Sequence, residues 1–483
     1  MSRPWEIENF LELKNDQLHV DGVSAARLAG EFGSPLFVFS ERRIRHNIDR
    51  LKRSAAVIEC PLKICYAAKA MSTMAILKTV KDAGSDIEVN SGGELWKALE
   101  VGFRPQQIIF NGTSKEIWEL ETAIEAGIYA IQVDSLLELA LIEETAKRLT
   151  KKANVSLRLV PEIESNTHSG LQTALLTSKF GMMPDEALNA FRGFRNSRYL
   201  NLAGIHLHIG SQNPDAAAYA EAFEVLFHNL LQIHHETGMK LSHLNLGGGF
   251  PVNYLRDSTL EGAFPVDQRE MFSADFEPAN AIANAWKVVR NAAHASNATH
   301  LLENLTLLLE PGRSIIADAG ICLTTVRNIK HRPVGSGQRT TENAELRNDA
   351  HDLSTDHWLL TDAGFNILLS METYKWYYHL ISAERAGEQH DSAYKLAGPL
   401  CDGGDVYFDH EGQGRLPDHR LLPGNVKLGE VLAFLNCGAY SLSQASQYNG
   451  RFLPPVVLIR ENGKVDLIRR RDDFQDLIAN DIY

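Results

Sequence analysis

Lys69 ends an apolar run, Lys63-Ile64-Cys65-Tyr66-Ala67-Ala68-Lys69-Ala70, and three further signals follow it in order: His208-Ile209-Gly210-Ser211, Gly247-Gly248-Gly249-Phe250 and Glu310-Pro311-Gly312-Arg313. A lysine leaving an apolar strand loses its charge more readily than a solvated one, and a neutral amine condenses with an aldehyde. Taken alone, such a lysine is more often a surface residue whose stem lies on the protein while its amine reaches water. Consecutive glycines let backbone N–H groups close on a phosphate without Cβ obstruction, although an isolated glycine triplet reads as a flexible turn. Arg313 adds a permanently charged, planar partner for phosphate or carboxylate, and Ser211 adds a hydroxyl. In isolation these two read as a helix-end ion pair and a cap.

Glu310 follows Leu307-Leu308-Leu309, where an isolated anion would be costly to bury, so it needs a cation or a proton. A pyridinium nitrogen meets that need. A ring held protonated in this way accepts the electrons released when a bond at a substrate α-carbon breaks. His208 can stack on the ring, the alternative being a hydrogen-bonded core histidine. Together the four signals describe a socket for pyridoxal 5'-phosphate.

These residues need a frame that gathers strand ends. From about residue 60 to 315, short apolar or β-branched runs alternate with segments of helical period, as parallel strands with helical crossovers require. Eight strands are expected, near 64–67, 86–90, 107–111, 129–134, 155–160, 203–208, 243–246 and 305–310, with helices such as 91–101, 115–126, 135–149 and 216–235 between them. Lys69, Asn90, Asn111, Asp134, His208, Gly247 and Glu310 all fall at or just after strand C-termini. That is the face on which an eight-fold β/α barrel builds its site, whereas an open doubly wound sheet gathers ligands at one switch point. The expected fold is therefore a TIM-like α/β barrel over 40–315 and a second, mainly antiparallel β domain over 316–483, where turn-rich strands near 321–326, 358–361, 426–436 and 455–460 replace helices. Within it, 331–356 is polar and poor in large apolar residues, and reads as a mobile surface loop.

Composition narrows the function. Of 483 residues, 44% are hydrophobic, ample for two or three domains. Lys and Arg total 48 against 61 Asp and Glu, a net charge of -13, which argues against nucleic acid as a partner. A start without a basic, apolar leader and the lack of any long apolar run predict a cytoplasmic protein with no membrane association. Cys60, Cys65, Cys322, Cys401 and Cys437 show no Cys-x-x-Cys spacing, so free thiols are expected, with neither a disulfide framework nor a metal site.

The chain resembles the diaminopimelate and ornithine decarboxylases, the fold type III enzymes that join an alanine-racemase-like barrel to a β domain. The resemblance extends over nearly the whole chain, from Pro35-Leu36-Phe37-Val38-Phe39 onward. It rests on Tyr66-Ala67-Ala68-Lys69, Glu88-Val89-Asn90-Ser91-Gly92-Gly93-Glu94, Ser178-Lys179-Phe180-Gly181, His206-Leu207-His208-Ile209-Gly210-Ser211-Gln212, Leu246-Gly247-Gly248-Gly249-Phe250-Pro251, Glu310-Pro311-Gly312-Arg313, Cys401-Asp402-Gly403-Gly404-Asp405 and Gly438-Ala439-Tyr440. It implies that Lys69 holds the cofactor, His208 stacks on the ring and Glu310 pairs with the ring nitrogen. The phosphate then meets Ser211, Gly247, Gly248, Gly249, Gly312, Arg313 and Tyr440, and Arg313 also faces the substrate. By the same resemblance Cys401 returns a proton in the site of a second subunit, the protein is a homodimer with shared sites, and residues 1–39 join the β domain.

Two departures bear on the substrate. Diaminopimelate decarboxylases carry an arginine-proline pair shortly after the Asp-Ala-Gly segment, gripping the distal carboxylate; here Asp362-Ala363-Gly364-Phe365-Asn366-Ile367-Leu368-Leu369 leads to Ser370-Met371. Lys375 can compensate in part as a point charge. Asp402 stands where those enzymes have glutamate and the ornithine type has aspartate, and Tyr374 and Tyr440 offer hydroxyls. The reading is a carboxy-lyase acting on a small amino acid, either diaminopimelate-like or a conjugated amino acid of siderophore or antibiotic synthesis, with ornithine or lysine as the alternative. The rivals are an amino acid racemase, disfavoured by Cys401-Asp402, and a catalytically silent binding or regulatory homologue, disfavoured by intact Lys69, Glu310 and Cys401.

Overall fold

The computed structural model of the protein describes residues 3–160, 178–256, 263–333 and 355–482. The chain divides into two units, one of Ile44–Val252 and Ala274–Ile315, the other of Met1–Arg43, Asn253–Ser273 and Ile316–Tyr483.

The first unit is a closed barrel of eight parallel strands, numbered here β1 (Leu62–Ala67), β2 (Asp86–Val89), β3 (Ile108–Phe110), β4 (Ala130–Val133), β5 (Ala153–Arg158), β6 (Leu200–His206), β7 (His243–Asn245) and β8 (Thr306–Leu309), with β8 pairing to β1. All eight expected strands are present. Cys65, Ile109, Ala130 and Leu308 pack into one apolar cluster, although β1, β3, β4 and β8 are not all neighbours, so these side chains point inward. Strand side chains alternate, so residues two further along, among them Asn111, Gln132 and Glu310, face inward one layer nearer the C-terminal mouth. Arg158, His206 and Asn245 lie side by side on β5, β6 and β7, and Asn245, in register with Leu308, reaches up to Glu310 through its amide. An apolar layer thus supports a polar one.

Serine caps turn two strand ends into helix starts. Ser91 accepts from the N–H of Glu94 while Glu94 Oε2 accepts from Asn90 N, opening the helix Gly92–Val101. Ser135, Glu138 and Asp134 repeat the arrangement ahead of Leu136–Arg148. Each reciprocal cap satisfies two N–H groups otherwise left open and fixes the loop behind the strand.

In the second unit a mixed, mainly antiparallel sheet is built around Gly320–Pro333, which pairs antiparallel with Leu36–Ser40, Thr355–Thr361 and Val431–Phe434. Leu36–Ser40 lies inside this sheet, parallel to Val456–Ile459. The segment Asn253–Ser273, within the range expected to be barrel, belongs to this unit instead. Tyr254 and Phe272 meet Trp376 edge-on at 5.1 and 5.2 Å, and these buried aromatic contacts hold it there. Most of the polar segment 331–356 lies outside the described residues. Its ends are not loop: His331 pairs with His357 and Pro333 with Thr355 in the sheet ladder, whose backbone bonds are indifferent to polar side chains. No helix among the described residues is long and apolar enough to cross a membrane, and all five cysteines are free.

Candidate active site

Glu310 sits at the barrel mouth beyond β8 and is almost fully buried. Asn245 Nδ2 donates to Oε1 at 2.7 Å and Asn111 Nδ2 to Oε2 at 2.9 Å, while His206 Nε2 lies 3.4 Å from Oε2. Burial alone would raise its pKa. His206, the Lys69 amine and the Asn245 hydrogen bond outweigh burial and hold Glu310 down at about 2, so it is an anion at neutral pH.

Lys69 stands on the short turn Ala68–Ala70 that leaves β1, its amine about half exposed between buried alanines. Nζ lies 3.4 Å from Asn90 Oδ1 and 3.8 Å from Glu88 Oε1. Glu88 has no exposed surface and shares the Asn111 amide with Glu310, at 2.8 Å. His208, partly open to the mouth, is set in dense protein that, with Lys69 and Arg158, pushes its pKa down to about 3. Its Nδ1 accepts from Gly248 N at 3.1 Å, so the neutral ring carries its proton on Nε2.

The glycine triplet answers to its neighbours. A Cβ on Gly248 would sit 2.3 Å from the Glu310 carbonyl oxygen, and one on Gly249, at φ +96°, 2.4 Å from that of Gly210. The loop after β7 therefore lies against the ends of β6 and β8 with no room for a side chain. Arg313, buried at the start of Arg313–Ile316, donates through Nε to Ser211 Oγ at 3.1 Å, and Gly312 caps that turn by accepting from Ile315 N. The structure thus brings Lys69, His208, Ser211, Gly247, Gly248, Gly249, Glu310, Gly312 and Arg313 to one end of the barrel. An anionic carboxylate, a primary amine, a neutral imidazole and an arginine-serine pair at a glycine loop fit the nitrogen, aldehyde, ring and phosphate of pyridoxal phosphate.

The remaining expected residues belong to the other unit. Cys401 and Asp402 are exposed, with Cys401 N donating to Asn449 Oδ1 at 2.6 Å and Tyr448 OH to Asp402 Oδ2 at 3.1 Å. Ser370 is buried at the start of Ser370–Thr373, Tyr374 follows it half-buried, and Tyr440 adopts a left-handed backbone at φ +57°. Lys375 does not serve as a spare point charge: it is buried, with Nζ 2.9 Å from Glu372 Oε2.

Sequence reading assigned no role to Glu88, Arg158, His206 or Asn245. Their signal was a polar residue flanked by apolar ones near a strand end, as in Ile87-Glu88-Val89, Ile205-His206-Leu207 and Leu244-Asn245-Leu246. Arg158 lies over the Phe180 ring at 4.2 Å.

Residues 41–317 match the family model of the pyridoxal-dependent decarboxylases, pyridoxal binding domain. The chain is 33% identical over 478 residues to diaminopimelate decarboxylase of Methanocaldococcus jannaschii, covering 98% of this chain and 96% of that one. It is 30% identical to the Bacillus subtilis enzyme of the same name, covering 97% and 96%. A crystal structure of the M. jannaschii enzyme superposes with a TM-score of 0.80 at 32% identity, over 98% of both chains. With a barrel mouth that fits the cofactor and relatives matched end to end, the chain belongs to the fold type III pyridoxal-phosphate-dependent decarboxylases, a family of carboxy-lyases.

Proposed function

We propose that this enzyme decarboxylates an α-amino acid whose distal group is not gripped by an arginine. The observation that carries the reading is Glu310, a buried carboxylate kept ionised by its neighbours at the centre of the barrel mouth. When bound, pyridoxal phosphate supplies an electron sink for the pair released as the α-carboxylate departs. Lys69 is the residue assigned to hold it, with His208 on the ring, Glu310 on the nitrogen, and Ser211, Gly247, Gly248, Gly249, Gly312, Arg313 and Tyr440 around the phosphate. Glu88, 3.8 Å from Nζ, takes the proton that Lys69 must lose to act as a nucleophile.

Substrate selection is assigned to Arg313, Ser370, Tyr374 and Asp402. A serine hydroxyl cannot replace a charged bidentate donor, a loss of about 1.5–3 kcal/mol for a distal carboxylate. This ranks a conjugated or otherwise altered relative of diaminopimelate, as in siderophore or antibiotic synthesis, close beside diaminopimelate itself. Asp402, exposed and short, keeps ornithine and lysine as the second reading. The exposed Cys401 is assigned to return the proton to the α-carbon in the site of a second copy, which makes the enzyme a homodimer.

Reconstitution with pyridoxal phosphate should give the visible band of the amine-bound cofactor, lost in Lys69→Ala. Carbon dioxide release, measured across diaminopimelate, ornithine, lysine and acylated amino acids, should then identify the substrate class. A coloured protein that racemises without releasing carbon dioxide, or a colourless one, refutes the proposal.

A further inference from the structure

In the unit formed by Met1–Arg43, Asn253–Ser273 and Ile316–Tyr483, an open cleft of about 550 Å³ is lined by Arg327, Arg451 and Arg471, by the carboxylate of Asp362, and by Phe452 and Phe474 among others. Three guanidiniums face one carboxylate, and that carboxylate is already committed. Asp362 Oδ1 accepts from Thr324 Oγ1 at 2.8 Å and Thr325 N at 2.9 Å; Oδ2 accepts from Ser34 Oγ at 2.6 Å and Arg327 Nε at 2.9 Å. Arg327 is matched by this pair.

Among the described residues, neither Arg451 nor Arg471 forms an ion pair with a carboxylate; each hydrogen-bonds a backbone carbonyl instead. Arg451 donates to the Pro399 carbonyl at 2.8 Å and Arg471 to that of Pro35 at 3.1 Å, and a carbonyl offers a dipole where a guanidinium calls for a counter-charge. Arg471 is half-buried. Burial, with Arg327 adding to it and Asp362 opposing, weakens its hold on its proton, yet a guanidinium stays charged. One carboxylate, already bound by Arg327, is shared among three guanidiniums, and this excess of partly desolvated positive charge is an unfavourable arrangement that an incoming anion relieves. Beside the guanidiniums stands an apolar wall: the rings of Phe452 and Phe474 meet edge-to-face at 5.1 Å, and Phe474 is 75% exposed. The volume lies within the range of small-molecule sites.

We propose that this cleft binds a small organic anion, its carboxylate or phosphate held by Arg451 and Arg471 and its apolar body lying against Phe452 and Phe474. Planar guanidiniums suit both head groups, which accept two parallel N–H bonds. The proposal does not depend on the identity of the amino acid substrate, since none of these residues is assigned to the barrel mouth.

The test uses the full-length holoenzyme, so that the cofactor fills its own phosphate socket. Calorimetric titration at low ionic strength compares inorganic phosphate, phenylphosphate and phenylacetate. Phenylphosphate should bind more tightly than inorganic phosphate. If phenylacetate binds too, the site takes carboxylates as well; if it does not, phosphate is the head group selected, and either result upholds an organic anion site. Arg471→Gln and Arg451→Gln should each weaken binding tenfold or more, and Arg471→Lys less. Arg451 is exposed, so R451Q remains informative should R471Q fold poorly. The proposal is overturned if none of the three binds, if phenylphosphate binds no better than phosphate, or if affinity is unaltered in both glutamine variants.

Discussion

Nζ of Lys69 lies 3.8 Å from Oε1 of Glu88, a carboxyl with no exposed surface. Burial pushes Glu88 up to about 7, with the Lys69 amine and the Asn111 hydrogen bond opposing and Glu310 and Glu94 adding to the rise. Its neighbour Glu310 moves the other way. Two carboxyls sharing one Asn111 amide are thereby split, one poised to exchange a proton near neutrality and the other fixed as an anion.

That split gives the apoenzyme a pH signature. A carboxyl raised from 4.5 to about 7 on folding stabilises the fold below pH 4.5, and this contribution is lost as pH rises from 4.5 to about 7. Buried histidines titrate in overlapping ranges, so the difference between wild type and Glu88→Gln isolates the effect. In thermal melts, the stability of E88Q relative to wild type should improve steadily from pH 4.5 to 7 and level off above. Lys69→Ala removes the opposing cation and should extend the window upward. A difference that does not vary with pH means Glu88 has an ordinary pKa.

Asn245→Ala tests the other carboxyl. Removing the 2.7 Å donor leaves Glu310 buried and under-satisfied, at a cost of about 1.5–3 kcal/mol for a hydrogen bond to a charged group. Glu310 is depressed on folding, so its contribution is present above pH 4.5 and lost as pH falls toward 2. The gap between wild type and N245A in urea denaturation should therefore be full at pH 7 and shrink below 4.5. The variant should also lose pyridoxal phosphate more readily on dialysis.

How much of this was legible beforehand follows from where the information resides. The eight strands could be read because each is a short apolar run between turn signals, and Lys69, His208, Gly247 and Glu310 because they end such runs. The Asn111 bridge could not, because it joins β3 to β2 and β8 through closure of the barrel, which no local pattern records. The same holds for Asn253–Ser273: its place beside Trp376 is set by aromatic packing across more than a hundred residues of chain. Strands such as Ser392–Ala397 and Arg420–Leu422 lack the short apolar run that marks the barrel strands, and their pairing is tertiary.

Glycine positions separate close approach from mere flexibility. Gly248→Ala places a Cβ 2.3 Å from a backbone oxygen, so the loop must shift, costing about 1–3 kcal/mol, and the Gly248 bond to His208 shifts with it. Gly193, inside Pro184–Phe194 with nothing within 4 Å of its would-be Cβ, should gain about 0.5–1 kcal/mol as alanine. Melting both variants with and without pyridoxal phosphate checks the contrast. G248A should also lose much of the cofactor-induced rise in Tm, whereas G193A should keep it.

Ser370→Arg tests whether the substrate is set where the family's arginine is missing. Ser370 is buried, its Oγ 3.5 Å from Gln444 Oε1, so the longer side chain brings some overpacking, about 1–3 kcal/mol against stability. Against that, a guanidinium on a distal carboxylate contributes about 1.5–3 kcal/mol, or about 10–100-fold in kcat/KM for diaminopimelate. Lys375 cannot already supply the contact, because Glu372 holds its amine at 2.9 Å. Ser370→Gln carries similar bulk without charge and should show the stability loss but not the gain. Equal behaviour of the two variants toward diaminopimelate would place the distal group elsewhere and leave Tyr374 and Asp402 as the residues that select it.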